Sequence, residues 1–274
     1  MIYSSIVLYR TDRDMLKTIL DCVLNSIIDK TFIVDNSPTD ELKSFVLQYP
    51  SSKIEYIYGQ GNVGYGAGHN IAIRKSIADE AKYHIVLNPD IKFEPNVIDS
   101  LRAFMDKYPN AGYVIPRTYG VDGKLRPICK RLPYPMDIFG SRFLQSRFAK
   151  KKTDKYHLSS INEDDEIRNV PILSGCFMFM RVETLKKVGL FDERYFMYFE
   201  DFDLLRRIHK VAWNVYYPKV SIIHEYNGEH KKDKKILKIG IVNGIRYFNK
   251  WGWFFDSYRK KVNRHIFDPE NIIK

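Results

Sequence analysis

Five carboxylates, Asp192, Glu193, Glu200, Asp201 and Asp203, crowd into one short stretch, interleaved with Phe191, Tyr195, Phe196, Tyr198, Phe199 and Phe202. Aromatics at that density want burial, so the acids among them are only partly solvated. Partial burial raises a carboxylate's pKa and poises it to accept a proton near neutral pH. Leu204, Ile208, Val211 and Ala212 follow at the spacing of one helix face, which puts Glu200 and Asp201 at a helix N-terminus. Two readings stay open on these residues alone. One is a capped helix whose acids complement its dipole; the other is a general base.

Three further groups could do chemistry. Asn88-Pro89-Asp90 offers a carboxylate and an amide where a strand ends, a start for a hard divalent cation if a diphosphate supplies the other oxygens. The same tripeptide is also an ordinary turn. His224 closes the apolar run Val220-Ser221-Ile222-Ile223, either as a structural residue or as a metal ligand. Paired with Asp90 it would suit manganese somewhat better than magnesium. Gly59-Gln60-Gly61-Asn62-Val63-Gly64 formally matches a dinucleotide fingerprint, but it follows the third strand and lacks the expected downstream acid. A nicotinamide enzyme is a poor reading.

The elements that must position these groups alternate. Strands are expected at Ile2–Tyr9, Thr31–Val34, Ile54–Tyr58 and Tyr83–Leu87, separated by helices at Asp12–Asn25, about Thr39–Gln48, and through Ile71, Ile73 and Ile77. That β-α-β order implies a parallel sheet with helices on both faces, whose ligands bind at the carboxyl ends of the strands. Asp35, the glycine loop and Asn88-Pro89-Asp90 all fall on that edge. A helix at Asn96–Lys107, a strand at Gly112–Pro116 and a hairpin turn at Val121-Asp122-Gly123-Lys124 come next. Residues 130–168 read as a long mobile excursion. Strands near Phe177–Arg181, Asn214–Tyr217 and Val220–His224 complete the domain, with no clear boundary before Tyr226.

Composition narrows the class. The 274 residues are 45% hydrophobic, ample for one large α/β domain with an appendage. Three scattered cysteines argue against a disulfide framework or a zinc site and fit a reducing cytoplasm. No signal peptide or membrane-spanning run is evident. The net charge of +11 is uneven: Lys231 to Arg264 holds eleven Lys/Arg against two Asp, which leaves +2 for the rest. With Trp251, Trp253, Phe254 and Phe255 in that segment, residues 229–274 read as an interfacial anchor for an anionic membrane surface. A helical hairpin packed on the domain competes with that. A nucleic-acid patch finds no supporting fold motif.

The order of the motifs IVLYR, FIVDNSP, GNVGYGAGHNIAI, VLNPD, LSGCFMFMR, GLFDERYFMYFEDFDLLRR and IIHEYNG resembles the bacterial glycosyltransferase family 2, its rhamnosyltransferase and galactofuranosyltransferase-like members above all. The likeness covers roughly residues 1–228. It implies a GT-A fold and an inverting transferase using Mn2+ or Mg2+. The donor would be a nucleotide-sugar, dTDP-rhamnose or a UDP-hexose or galactofuranose. The acceptor would be a saccharide, lipid-linked, at the inner face of the plasma membrane. By the same resemblance Asp201 is the base with Glu200 beside it, and Asp90 and His224 hold the metal. Tyr9, Asp35, Asn62, Gly64, Asn70 and Asn88 lie on the donor side, and Ser174, Gly175 and Cys176 on the acceptor side. Asn88 departs from the family's first metal-motif aspartate, which removes one charge. The alternative it supports is a non-catalytic nucleotide-sugar or membrane-binding scaffold.

Overall fold

The computed structural model describes residues 1–50, 52–140, 154–225 and 234–274. Its strands are β1 (Ile2–Leu8), β2 (Lys30–Asp35), β3 (Ile54–Tyr58), β4 (Tyr83–Leu87), β5 (Ile91–Phe93), β6 (Ala111–Tyr119), β7 (Arg168–Asn169), β8 (Phe177–Arg181) and β9 (Trp213–His224). They join one sheet in the order β3-β2-β1-β4-β8-β6-β9-β5, with β7 pairing β9 off that path. The expected parallel order holds from β3 to β4. Beyond β4 the sheet is mixed, because β8 runs antiparallel to both β4 and β6.

Side chains alternate across β1, so Ile2, Ile6 and Leu8 face one way and Tyr3 the other. The first set packs with Leu16 and Ile19 of α1 (Arg13–Leu24). Tyr3, with Phe32 and Val34, packs with Ala72, so the two faces carry different helices. Of the helix expected over 39–48 only α2 (Lys43–Val46) forms. Ala72 belongs to α3 (Tyr65–Ala78), whose buried face also carries Gly66, His69 and Ser76. A side chain at Gly68 would meet Val7 Cγ2 at 2.9 Å, so glycine lets this helix settle on β1. Polar groups in that layer bond to one another, leaving His69 Nε2 buried without a partner among the described residues. Ser5 Oγ lies 2.7 Å from His69 Nδ1 and 2.8 Å from His84 Nε2, and Ser76 Oγ lies 2.7 Å from His84 Nδ1. Burial pushes His84 down to about 3, so this relay is uncharged.

After α4 (Pro95–Lys107), the hairpin turn forms as expected, with Gly123 at φ 69° and Tyr119 bridging Leu125. The segment expected as a mobile excursion is largely packed wherever it is described; residues 141–153 lie outside the described part. Leu132, Tyr156, Leu158 and Ile161 are buried around α5 (Pro135–Ile138) and α6 (Ser159–Glu163). Buried Asn162 accepts from the backbone N–H groups of Ile128 (2.8 Å) and Cys129 (3.0 Å), stapling the excursion to the chain just ahead of it. Its polar sequence hides an internal core because the apolar residues are few and spaced.

The two strands expected over 214–224 are one. Pairing of β9 with β6 shifts register between Pro116 and Arg117, opposite the step from Tyr217 to Ser221. Pro218 has no N–H for the ladder there, yet the strand continues. Its far end turns to pair antiparallel with β5, which sets His224 opposite Ile91.

After α7 (Val182–Val188) comes α8 (Glu200–His209), and the C-terminal α9 (Lys234–Trp251) and α10 (Ser257–His265) pack on it. Arg206 and Asp256 form a buried ion pair at 2.6 Å, with the guanidinium 4.4 Å from the Trp251 ring centre. Tyr247 and Phe248 are fully buried. The inner face of this segment is therefore core. Its outer face still exposes Ile241, Val242 and Ile245, and the following turn exposes Phe254 (80%) and Phe255 (97%).

Asp256→Ala leaves the buried Arg206 without its partner and removes the bond that starts α10 at Arg259 N. Breaking such a pair costs about 3–5 kcal/mol. Equilibrium urea unfolding should show a loss of that size, and an unchanged midpoint would mean that the C-terminal helices contribute little to the fold.

Candidate active site

The reversal of β8 brings Ser174, Gly175 and Cys176 to the edge where β1, β2 and β4 end, because Phe177 stands opposite Leu87. Asn88 N–H donates to Cys176 O (2.9 Å). The hydroxyl of Tyr65, the first residue of α3, lies within hydrogen-bond reach of both Asn88 Oδ1 (2.8 Å) and Gly175 O (2.9 Å), which share its one proton. One phenol thus ties the glycine loop, the Asn-Pro-Asp turn and the 174–176 loop together.

Asp90 follows at the start of β5, and His224 ends β9 beside it. His224 Nε2 lies 3.2 Å from Asp90 Oδ2, while Asp90 Oδ1 is buried with no hydrogen-bond partner. Burial opposes charging of the imidazole, but hydrogen bonds to Asp90 and Cys176 outweigh it and push His224 up to about 10. With its proton displaced, His224 Nε2 and the unsatisfied Asp90 carboxylate would be two convergent donors of a kind that suits a divalent cation. Among the described residues no group of three or more His, Cys, Asp or Glu suited to a metal occurs.

On the other side of the 174–176 loop, α8 begins with the acid pair. Asp201 Oδ1 accepts from Phe202 N–H (2.9 Å). A Cβ placed on Gly175 would sit 3.1 Å from Asp201 Oδ2, a tight contact that glycine avoids. Burial raises the Asp201 pKa, and Lys130 opposes that rise. Glu200 is pushed much further up, first by burial and then by Asp201, and its Oε2 is buried without a partner. Two adjacent buried carboxyls do not both ionise readily. Of the two, Glu200 is held further toward the protonated form. Asp203 is excluded as a base, since it is fully buried and bound to Arg207 (2.9 Å), Lys250 (2.7 Å) and Trp251 Nε1 (2.8 Å).

Lys130 is the residue that sequence reasoning missed. It falls in the polar stretch read as an excursion, yet its backbone bridges Ile172 and its ammonium sits 5.3 Å from the Phe202 ring centre. Among the described residues it has no ion-pair partner within 4.0 Å, and burial lowers its pKa while Asp201 raises it. No pattern in the sequence marks it.

The donor-side residues scatter more. Asp35 ends β2 between Leu8 and Tyr58 in register. Its carboxylate is buried and accepts from Tyr56 Oη (2.6 Å) and Ser37 N–H (2.9 Å), so it organises the turn. Tyr9 and Tyr58 are exposed on either side of it. Asn62 is exposed in the glycine loop. Gly64, at φ 91°, lies so close to Phe196 that a side chain there would meet its carbonyl oxygen at 2.3 Å. Asn70 is buried and committed to Phe191 and Glu193, which anchors the acidic segment on α3.

A glycosyl transferase family 2 model matches residues 5–189. The chain belongs to glycosyl transferase family 2. It is 31% identical over 204 residues to an N-acetylglucosaminyl-diphospho-decaprenol L-rhamnosyltransferase of Mycobacterium tuberculosis, covering 70% of this chain and 65% of that protein. It thus spans less than two thirds of that relative's length. Two solved structures share the fold at low identity. GalNAc-T7 with UDP, GalNAc and Mn2+ has a TM-score of 0.65 at 14% identity, covering 91% of this chain and 48% of that one. A mannosyltransferase from Pyrobaculum calidifontis with GDP-Man and Mn2+ has a TM-score of 0.59 at 13% identity, covering 91% and 64%. The GT-A architecture expected of a family 2 chain is the one observed.

Removing the ammonium beside Asp201 should make that carboxyl harder to ionise. In Lys130→Met the Asp201 titration, followed by carbon-detected NMR of the carboxyl, moves to higher pH, whereas Lys130→Arg leaves it near its original position. An unmoved titration in Lys130→Met would remove Lys130 from the site.

Proposed function

We propose that this family 2 chain is an inverting, divalent-metal-dependent glycosyltransferase. It moves a sugar from a nucleotide-sugar to a saccharide acceptor. The observation that carries the reading is the shared loop: Gly175 touches Asp201, and its neighbour Cys176 reaches Asn88 and, through a hydrogen bond, His224. A proton acceptor and a two-ligand cation site therefore border one place.

A sugar hydroxyl is a weak nucleophile at neutral pH, so its proton must leave as the new bond forms. Asp201 takes that proton, poised by burial on one side and by Lys130 on the other. Glu200, kept neutral, adds no second negative charge to repel the approaching hydroxyl oxygen. Asp90 and a neutral His224 would hold Mn2+ or Mg2+, which would supply Lewis-acid neutralisation of a departing diphosphate. With Asp201 as the base and Glu200 kept neutral, the chemistry is a single displacement that inverts the anomeric carbon.

The relative named as an L-rhamnosyltransferase favours dTDP-rhamnose as donor over a UDP-hexose or galactofuranose, and its diphospho-decaprenol substrate favours a lipid-linked acceptor. No helix among the described residues is long and apolar enough to cross a membrane. The exposed Phe254 and Phe255, next to the basic face of α9 and α10, fit peripheral contact with an anionic bilayer at the inner face of the plasma membrane.

Asp201→Asn should lower transfer by about 10³-fold or more while nucleotide-sugar binding survives, since general base assistance is worth about 10²–10⁴. Full activity in that variant refutes the base assignment. In a thermal-shift panel, dTDP-rhamnose should raise the melting temperature further with Mn2+ than without it, and Asp90→Ala should abolish the difference. Nucleotide binding indifferent to metal, with no turnover of any donor, would favour a scaffold instead, the role that Asn88 in place of aspartate allows.

A further inference from the structure

The acid pair does not hold its own position. Tyr198 (φ 67°) and Phe199 (φ 71°), the two residues before Glu200, are both left-handed, a conformation that side chains avoid. Phe199 stands at the N-cap of α8 and makes no side-chain capping bond. A helix start built on two strained residues needs an outside restraint.

That restraint comes from α9. Asn243, 1% exposed, donates from Nδ2 to the carbonyls of Met197 (2.8 Å) and Tyr198 (3.3 Å). Its Oδ1 accepts from Arg246 Nη1 (3.0 Å), which also donates to Arg194 O (2.6 Å). Next to it, Gly244 leaves room for the Phe199 ring, whose Cζ would lie 3.3 Å from an added Cβ. The Phe199 ring also packs on Phe202 and on Tyr247 of the same helix. Backbone and ring are thus gripped together.

We propose that Asn243 is a positioning residue for Asp201: its amide holds the 197–199 backbone in the strained form that aims the carboxylate past Gly175. The inference rests on the reading of Asp201 as the base. It assigns the C-terminal helix a part in transfer without any contact to substrate.

The test uses the full chain. Asn243→Ala, and the isosteric Asn243→Asp, which loses the donor, should speed amide hydrogen exchange at 198–202 while β1 and β4 exchange as before. With dTDP-rhamnose as the donor probe, kcat should fall about 10²-fold, the scale of a small misplacement, with KM for the donor within twofold. Adding Tyr198→Gly to Asn243→Ala should recover at least about tenfold in kcat, because glycine takes a positive φ without strain. Unchanged exchange at 198–202, or a kcat loss that tracks a fall in Tm and resists Tyr198→Gly, overturns the proposal. Full activity of Asp201→Asn alongside loosened exchange would instead overturn the base assignment and leave the clamp standing.

Discussion

The proposed chemistry depends on one close approach, the backbone of Gly175 lying against the Asp201 carboxylate. A side chain at 175 would crowd the acid and require it to shift by a few tenths of an ångström. The same loop meets the other half of the site through Tyr65 and Asn88. It reaches that edge only because β8 runs against β4, so the change of direction in the sheet is what makes the site.

The groups at that edge are separated by ionisation state as well as by place. Glu200 and Asp201 are both pushed up by burial, Glu200 the further, because only Asp201 has a cation, Lys130, to offset it. On the far side, His224 Nε2 lies 3.2 Å from Asp90 Oδ2, and a cation bound there would take the place of any proton on that nitrogen. Burial works against charge at Asp201, and the Lys130 ammonium is the partner that works for it.

Much of this was legible in the sequence, for reasons that differ between residues. Asp35, the glycine loop, Asp90 and Asp201 sit at element ends, where turn-formers and apolar periodicity mark them. The parallel half of the sheet follows from β-α-β alternation. What stayed hidden depends on distant pairing. Lys130 acquires its surroundings from Ile172 and Phe202, forty and more positions on, and a polar run gives no sign of it. Asn70 looked like a donor-side amide but spends its bonds on the 191–193 backbone and side chains. The basic tail carried a surface signature truthfully on one face, while its other face, with Tyr247, Phe248 and the amide of Asn243, is interior.

The bend in β9 has a consequence for how such a chain can change length. His224 arrives beside Asp90 only after the strand has counted off its residues past Pro218, and successive positions alternate between the two surfaces of the sheet. A one-residue insertion ahead of Ile223 would present that isoleucine in its place, a deletion would present Glu225, and either would turn the imidazole outward. Loops elsewhere can drift in length at little cost, but this strand is a ruler, and its divisions must be kept.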